Sequence, residues 1–263
     1  MQLDRNFWET RYTTSDTGWD IGGPSTPLKE YMDQLTDKDL HILIPGAGRA
    51  YEAEYAHRLG FKNVFVIDLT DAPYADLLQR CPDFPEDHLL VGDLFEHDGA
   101  YDRIMEQTFF CALDPELRIE YVRKMRDLLK PGGKLVGVLF DDALNTDRPP
   151  FGGNRSIYEP IFATYFQDVS MEPCYNSIAP RAGRELWLSA VKKTETYVPI
   201  DCNVYDTFEA AATLKKMCTI TLRNGEKVEG RIIDLFIKEK VELLKLHTGE
   251  EIRLDHVTDL STN

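Results

Sequence analysis

The sequence predicts an α/β protein: a doubly wound, Rossmann-like sheet of seven strands, followed by a small β-rich unit with one helix. Three observations carry this. Strand and helix patterns alternate from residue 41 to residue 191, which is the signature of parallel strands joined by helical crossovers. The stretch Leu40-His41-Ile42-Leu43-Ile44, Pro45-Gly46-Ala47-Gly48-Arg49-Ala50 and Val64-Phe65-Val66-Ile67-Asp68 reads as strand, small-residue turn, helix, then a strand closed by an acid. Beyond Lys192 the helical alternation stops and short β runs with turn signals replace it. The organisation expected is therefore a large domain over residues 1–194 and a small one over 195–263.

Composition narrows the class. At 263 residues, 43% apolar and 29% charged, the chain is an ordinary globular one. Its net charge of −15 opposes direct nucleic-acid binding, which needs a basic field. The five cysteines, Cys81, Cys111, Cys174, Cys202 and Cys218, contain no C-x-x-C pair, so the sequence implies neither a disulfide framework nor a metal site. There is no apolar signal core and no run of membrane-helix length, so the expected setting is a reducing cytoplasm without membrane contact.

Residues 1–38 precede the first strand and are aromatic-rich. Phe7 to Tyr12 has helical spacing, Thr17-Gly18-Trp19-Asp20 is a loop, and Leu28, Tyr31, Met32 and Leu35 mark an amphipathic helix. Trp8 and Trp19 suit either core packing or an aromatic flap over a ligand. The first strand is Ile42–Ile44. The glycines after it allow close ligand approach, and the helix that follows offers unpaired N–H groups. The third glycine of a dinucleotide fingerprint is replaced by Tyr51, which favours a nucleoside cofactor with no pyrophosphate, S-adenosylmethionine being the common one. Asp68, at the tip of the second strand, is placed for a ribose.

The remaining elements follow in order. A short helix covers Tyr74–Arg80, and the third strand is 88–91, followed by Gly92-Asp93-Leu94-Phe95. The fourth strand is 101–106. Asp114-Pro115-Glu116 is a helix start, and the helix ends at Lys130-Pro131-Gly132-Gly133, ahead of a buried strand over 135–140. A long loop, 141–155, sits at the carboxyl end of that strand, where loops are usually functional. A helix over 157–165, a weak strand near 167–171 and a strand over 185–191 complete the unit. His41, His57, His88 and His97 have no partner pattern and read as structural or exposed.

With these residues in place, the chain resembles the class I S-adenosylmethionine-dependent methyltransferases. More narrowly it resembles the thiopurine S-methyltransferase family, closest to its plant halide/thiol methyltransferases. The matching residues are Trp8-x-x-Arg11-Tyr12 with Trp19-Asp20, Ile44 to Gly48 with Asp68, Gly92 to Phe95, Pro149-Pro150-Phe151 and, most specifically, Thr108-Phe109-Phe110-Cys111-Ala112-Leu113-Asp114-Pro115-Glu116. The resemblance implies S-adenosylmethionine as cofactor, capped by Trp8, Tyr12 and Trp19, with Gly46 and Gly48 facing its methionine portion. It places Asp68 on the ribose and Asp93 and Leu94 on the adenine. Gln107, also on the cofactor side, stands where the thiopurine enzymes carry an arginine implicated in substrate handling, so a thiopurine acceptor is not expected.

The chemistry implied is SN2 methyl transfer to a small soft nucleophile: a thiol, sulfide, halide or thiocyanate. Such an acceptor is nucleophilic at or near neutral pH, so no metal is needed and no catalytic base is identified. Trp19, Phe109, Phe110 and Phe151 are the candidates for a dry acceptor pocket. For Phe109 and Phe110 the competing assignment is plain core.

The C-terminal residues read as a polar linker, a helix over 208–216, a hairpin signal at Asn224-Gly225, and five short strands that suggest a small Sm-like barrel. Tyr197-x-Pro199-Ile200-x-Cys202-x-x-Tyr205-Asp206, Asn224-Gly225-Glu226-Lys227 and Arg253 to Thr258 resemble the Rho-binding antiterminator family. That resemblance implies docking on the transcription terminator Rho. The alternatives are self-association through the same unit, or a regulatory protein that senses the cofactor and binds Rho.

Overall fold

A computed structural model describes residues 3–46, 48–193, 197–223, 225–238 and 241–262; of Cys202 it describes the backbone alone. Ala47 of the glycine turn, the linker residues 194–196 and Asn224 of the hairpin signal lie outside the described residues. Backbone proximity divides the chain into two compact units, Met1–Thr194 and Glu195–Asn263. Among the described residues no helix is long and apolar enough to cross a membrane.

In the first unit, α1 (Arg5–Thr13) is capped by Asp4, whose carboxylate accepts from the Phe7 amide. α2 (Thr26–Asp33) starts with Pro27 at its first turn, a position where a missing N–H costs nothing. Then come β1 (His41–Pro45), α3 (Tyr51–Arg58), β2 (Asn63–Asp68), α4 (Tyr74–Arg80), β3 (Leu89–Val91), β4 (Tyr101–Gln107), α5 (Arg118–Leu128), β5 (Leu129–Phe140), α6 (Arg155–Tyr165), β6 (Phe166–Pro173) and β7 (Glu185–Lys192). The sheet order is β3-β2-β1-β4-β5-β7-β6. The first five strands pair in parallel, and β7 enters antiparallel between β5 and β6.

Alternation along β1 divides the core between the two faces. Ile42 and Ile44 join Leu28, Met32, Ala53, Ala56 and Leu77 under α2, α3 and α4. Leu43 faces the other way and joins Tyr121, Met125, Tyr158 and Phe162 under α5 and α6. The result is a mixed, seven-stranded, Rossmann-like sheet. One element differs from expectation. Pro131-Gly132-Gly133 does not precede β5 but lies inside it, because Leu129 already pairs with Tyr101. The register then shifts, with Gly132 at φ +73°, so the glycines form a bulge.

The second unit has α7 (Cys202–Leu214), β8 (Met217–Leu222), β9 (Lys227–Lys238), β10 (Val241–Leu246), β11 (Glu251–Arg253) and β12 (Val257–Thr262). The helix starts six residues ahead of the expected Phe208, because the Asp201 carboxylate accepts from the Asn203 amide and caps it there. The strands form one antiparallel sheet, β11-β10-β9-β8-β12, over a core of Phe208, Ala211, Cys218, Ile220, Ile232, Leu244 and Leu246. The expected closed barrel is not what this sheet forms. Among the described residues no ladder joins its end strands β11 and β12, since the 3-10 turn Leu254–His256 diverts the chain between them.

Candidate active site

A cavity of about 790 Å³ opens at the carboxyl ends of β1, β2 and β4. Trp8, Tyr12, Trp19, Gly46, Gly48, Asp68, Asp93, Leu94, Gln107 and Phe109 all line it. Residues separated by a hundred positions thus share one wall.

The turn after β1 explains its glycines. Gly46 has φ +71°, and its amide donates to Ile67 O at 2.8 Å. A Cβ at Gly46 would drive into the Phe109 ring. Gly48 has φ +55°, and a Cβ there would lie 3.6 Å from Trp19 Cδ1. Gly46 therefore permits both a left-handed backbone and the Phe109 ring resting on it, whereas at Gly48 only the left-handed backbone calls for glycine.

Two acids stand beside the turn. The Tyr12 hydroxyl donates to Asp68 Oδ2 at 3.5 Å, and the Thr70 amide to Oδ1 at 3.1 Å. Burial, reinforced by the Asp68 charge, pushes the Tyr12 phenol far up, so it stays a neutral donor. Asp93 Oδ1 accepts from the Phe95 amide at 2.9 Å, and Leu94 is buried behind it.

The aromatic flap comes from α1 and the loop after it. Trp19 meets Trp8 and Tyr12 edge-on, at 5.7 and 5.5 Å between ring centroids. Its carbonyl accepts from Arg181 at 3.3 Å, while its buried indole N–H has no partner among the described residues. Gln107, at the end of β4, likewise buries Oε1 with no partner among the described residues. A donor and an acceptor without a described partner, lining the same cavity as the Asp68 and Asp93 carboxylates, fit a ligand carrying carboxylate, ammonium and ribose groups. S-adenosylmethionine is such a ligand.

The expected acceptor residues do not all reach this cavity. Thr108 takes φ +61°, and a 3-10 turn, Phe110–Ala112, follows. Phe109 faces the cavity. Phe110 does not: at 1% exposure it packs against Tyr121, Tyr158 and Phe162 at 5.3, 5.3 and 5.8 Å, so the plain-core assignment holds for it. Phe151 is also outside this cavity. It is buried, donates its amide to Cys111 O at 2.7 Å and lines a separate hollow of about 440 Å³ within the 141–154 loop, whereas Pro149 and Pro150 reach the main cavity.

The sequence reading missed Glu106. It is fully buried at the end of β4. Its Oε1 accepts from the Phe109 and Phe110 amides at 2.8 and 2.9 Å, and its Oε2 from the Tyr121 hydroxyl at 2.6 Å. Burial pushes its carboxyl up to about 7, although all three donors favour the charged form. An acid in the buried run of a strand, directly ahead of a strained turn, was the available signal. Glu52 and Arg49 were missed too: Glu52 is buried and accepts from the Ser25 amide at 2.8 Å, and Arg49 holds Asp20 at 3.3 Å and also Asp76.

A family model described as Thiopurine S-methyltransferase (TPMT) covers residues 3–198. The chain belongs to the thiopurine S-methyltransferase family. Like the members it resembles, it is an S-adenosylmethionine-dependent methyltransferase. This thiopurine S-methyltransferase family protein is 27% identical over 196 residues to the probable thiol methyltransferase 2 of Arabidopsis thaliana, covering 72% of this chain and 86% of that one. It is 26% identical to the same plant's thiocyanate methyltransferase 1, covering 70% and 83%. Its fold is that of the Burkholderia thailandensis 1,6-didemethyltoxoflavin-N1-methyltransferase, solved with S-adenosylhomocysteine, at TM-score 0.57, 19% identity and 72% and 87% coverage. A second model, Modulator of Rho-dependent transcription termination (ROF), matches residues 199–263. There the chain is 40% identical over 70 residues to Protein rof of Escherichia coli, covering 26% of this chain and 83% of that protein.

Proposed function

We propose that this methyltransferase acts on a small soft nucleophile, a thiol, sulfide, halide or thiocyanate, by direct displacement. The observation that carries the reading is one cavity lined both by the carboxylates of Asp68 and Asp93 and by the rings of Trp19 and Phe109, which rest on the glycine turn. The names of the two plant relatives support the same acceptor class.

In this reading the cofactor supplies an electrophilic methyl group on a sulfonium. Asp68 accepts from the ribose hydroxyls, with Tyr12 steadying one of its oxygens. Asp93 and Leu94 border the adenine. The Trp19 N–H donates to the carboxylate of the methionine portion, and the Gln107 carbonyl accepts from its ammonium. Trp8, Trp19 and Phe109 exclude water, which removes competing solvation from the acceptor and offers aromatic faces to the cation. An acceptor that is already anionic loses no proton, so these residues have to orient it and keep the site dry. Residues 1–194 form the catalytic domain. The odd, unpaired cysteine pattern supports a reducing cytoplasmic setting.

The test is methyl transfer from labelled S-adenosylmethionine by the full chain to sulfide, a small thiol, iodide, thiocyanate and a catechol. Transfer to the soft anions should exceed that to the catechol by about tenfold or more. Faster methylation of the oxygen acceptor, or none of the four soft ones methylated, would overturn the proposal.

For residues 195–263 we infer a small β-rich module that docks on Rho. The 40% identity to Protein rof supports it. Immobilised Rho should retain the full chain and lose it when residues 197–263 are deleted. Equal retention of both forms would exclude this role.

A further inference from the structure

The ends of α3 and α4 bring together three side chains that no sequence spacing links to a metal. His57 lies in the last turn of α3, and Cys81 closes α4. Asp83 sits in the turn that follows, which the Phe84 amide closes by donating to Cys81 O at 3.1 Å. Pro82 and Pro85 stiffen that turn. His57 Nε2 is 3.1 Å from Asp83 Oδ2, and Cys81 Sγ is 3.4 Å from Asp83 Oδ1. One donor atom from each residue falls within 4.8 Å of the other two.

We propose that His57, Cys81 and Asp83 form a binding site for a borderline-soft divalent cation of the zinc type. Nitrogen, sulfur and carboxylate oxygen form a donor set that selects such ions over magnesium or calcium. Tetrahedral zinc, with bonds of about 2.0–2.1 Å to nitrogen and oxygen and about 2.3 Å to sulfur, holds its ligand atoms about 3.3–3.6 Å apart. His57 and Cys81 each approach a different oxygen of the Asp83 carboxylate, Oδ2 at 3.1 Å and Oδ1 at 3.4 Å, and one donor atom from each residue within 4.8 Å of the others leaves only a small contraction to reach that spacing.

The site is also built for entry. Cys81 is 3% exposed, the His57 side chain 21% and the Asp83 side chain 81%, so the donors run from interior to solvent along one path. The His57 ring rests 5.2 Å from the ring of buried Phe84, which fixes its plane. Of the nearby cations, Arg58 and Arg80 are held by Glu54 at 2.8 and 2.6 Å, which reduces their repulsion of an incoming ion. On binding, the Cys81 thiol gives its proton to solvent and its sulfur donates the electron pair. Water takes the fourth position. The ion would tie α3 to α4.

The test uses the full chain with zinc and cobalt(II) ions. Equilibrium dialysis should give one zinc per chain, and cobalt should add a thiolate charge-transfer band in the near ultraviolet. Cys81→Ser should abolish that band, and His57→Gln and Asp83→Asn should each weaken zinc binding by about tenfold or more. Near-ultraviolet circular dichroism checks that the variants keep their packing. Zinc binding undiminished by Cys81→Ser or His57→Gln, a wild type with no cobalt–thiolate band, or no saturable binding below about 0.1 mM zinc would each overturn the site.

Discussion

The main-chain amide of Phe109 donates to Glu106 Oε1 across 2.8 Å, and this bond fixes one wall of the active site. Glu106 belongs to the buried end of a strand and Phe109 to the cavity, so a core carboxyl aims an aromatic ring at the glycine turn. The same carboxyl takes the Phe110 amide and the Tyr121 hydroxyl.

This coupling predicts a pH dependence. Burial raises the Glu106 carboxyl from 4.5 to about 7 in the folded chain. The fold thus favours the protonated form. The stability it contributes is complete below pH 4.5 and is lost as pH rises through 7. Urea unfolding at pH 5 and pH 8 should show a loss on the order of 3 kcal/mol from this group in the wild type. The Glu106→Gln variant should lack that component.

Gly46→Ala tests the turn. The residue must keep φ +71° and its new methyl would meet the Phe109 ring. Strain of about 1–3 kcal/mol is expected. Isothermal titration with S-adenosylhomocysteine should show affinity weakened by about tenfold or more, while the far-ultraviolet spectrum is retained.

Asp68→Ala removes the carboxylate that Tyr12 and Thr70 hold at the tip of β2. Loss of charged hydrogen bonds worth about 1.5–3 kcal/mol corresponds to a roughly tenfold to hundredfold rise in cofactor Kd. Calorimetry should show that rise with little change in unfolding midpoint, since the residue lies on the cavity surface.

Phe109 and Phe110 should separate cleanly. Phe110→Ala empties a site ringed by Tyr121, Tyr158 and Phe162 and should cost about 3–5 kcal/mol of stability. Phe109→Ala should cost less stability and act on methyl transfer itself, seen as a lower kcat/KM for thiocyanate or thiol. Equal stability losses in the two variants would contradict the assignment.

Much of this protein was legible in the chain alone. The period-2 and helical patterns gave β1 to β7 and their helices, because each element's burial is written in its own residues. Gly46, Gly48, Asp68 and Asp93 were legible as a site because turn chemistry and strand ends are local features. The bulge at Gly132 and the early start of α7 were not: one depends on pairing with Tyr101, the other on a cap at Asp201 outweighing the weak helix preference of Asn203 and Asp206.

By itself, then, the sequence determined the alternating fold, the glycine turn after β1 and the change of character beyond residue 192. Tertiary structure alone decided which of two adjacent phenylalanines lines the cavity, that Phe151 belongs to another hollow, and that His57, Cys81 and Asp83 converge. It also left the last sheet open between β11 and β12. The reason is physical: propensity and periodicity act over neighbouring residues, whereas these outcomes hang on hydrogen bonds and packing between segments far apart in the chain. The Glu106 carboxyl is the sharpest case, since burial and the two amides it accepts turn Phe109 toward the cavity and Phe110 into the core.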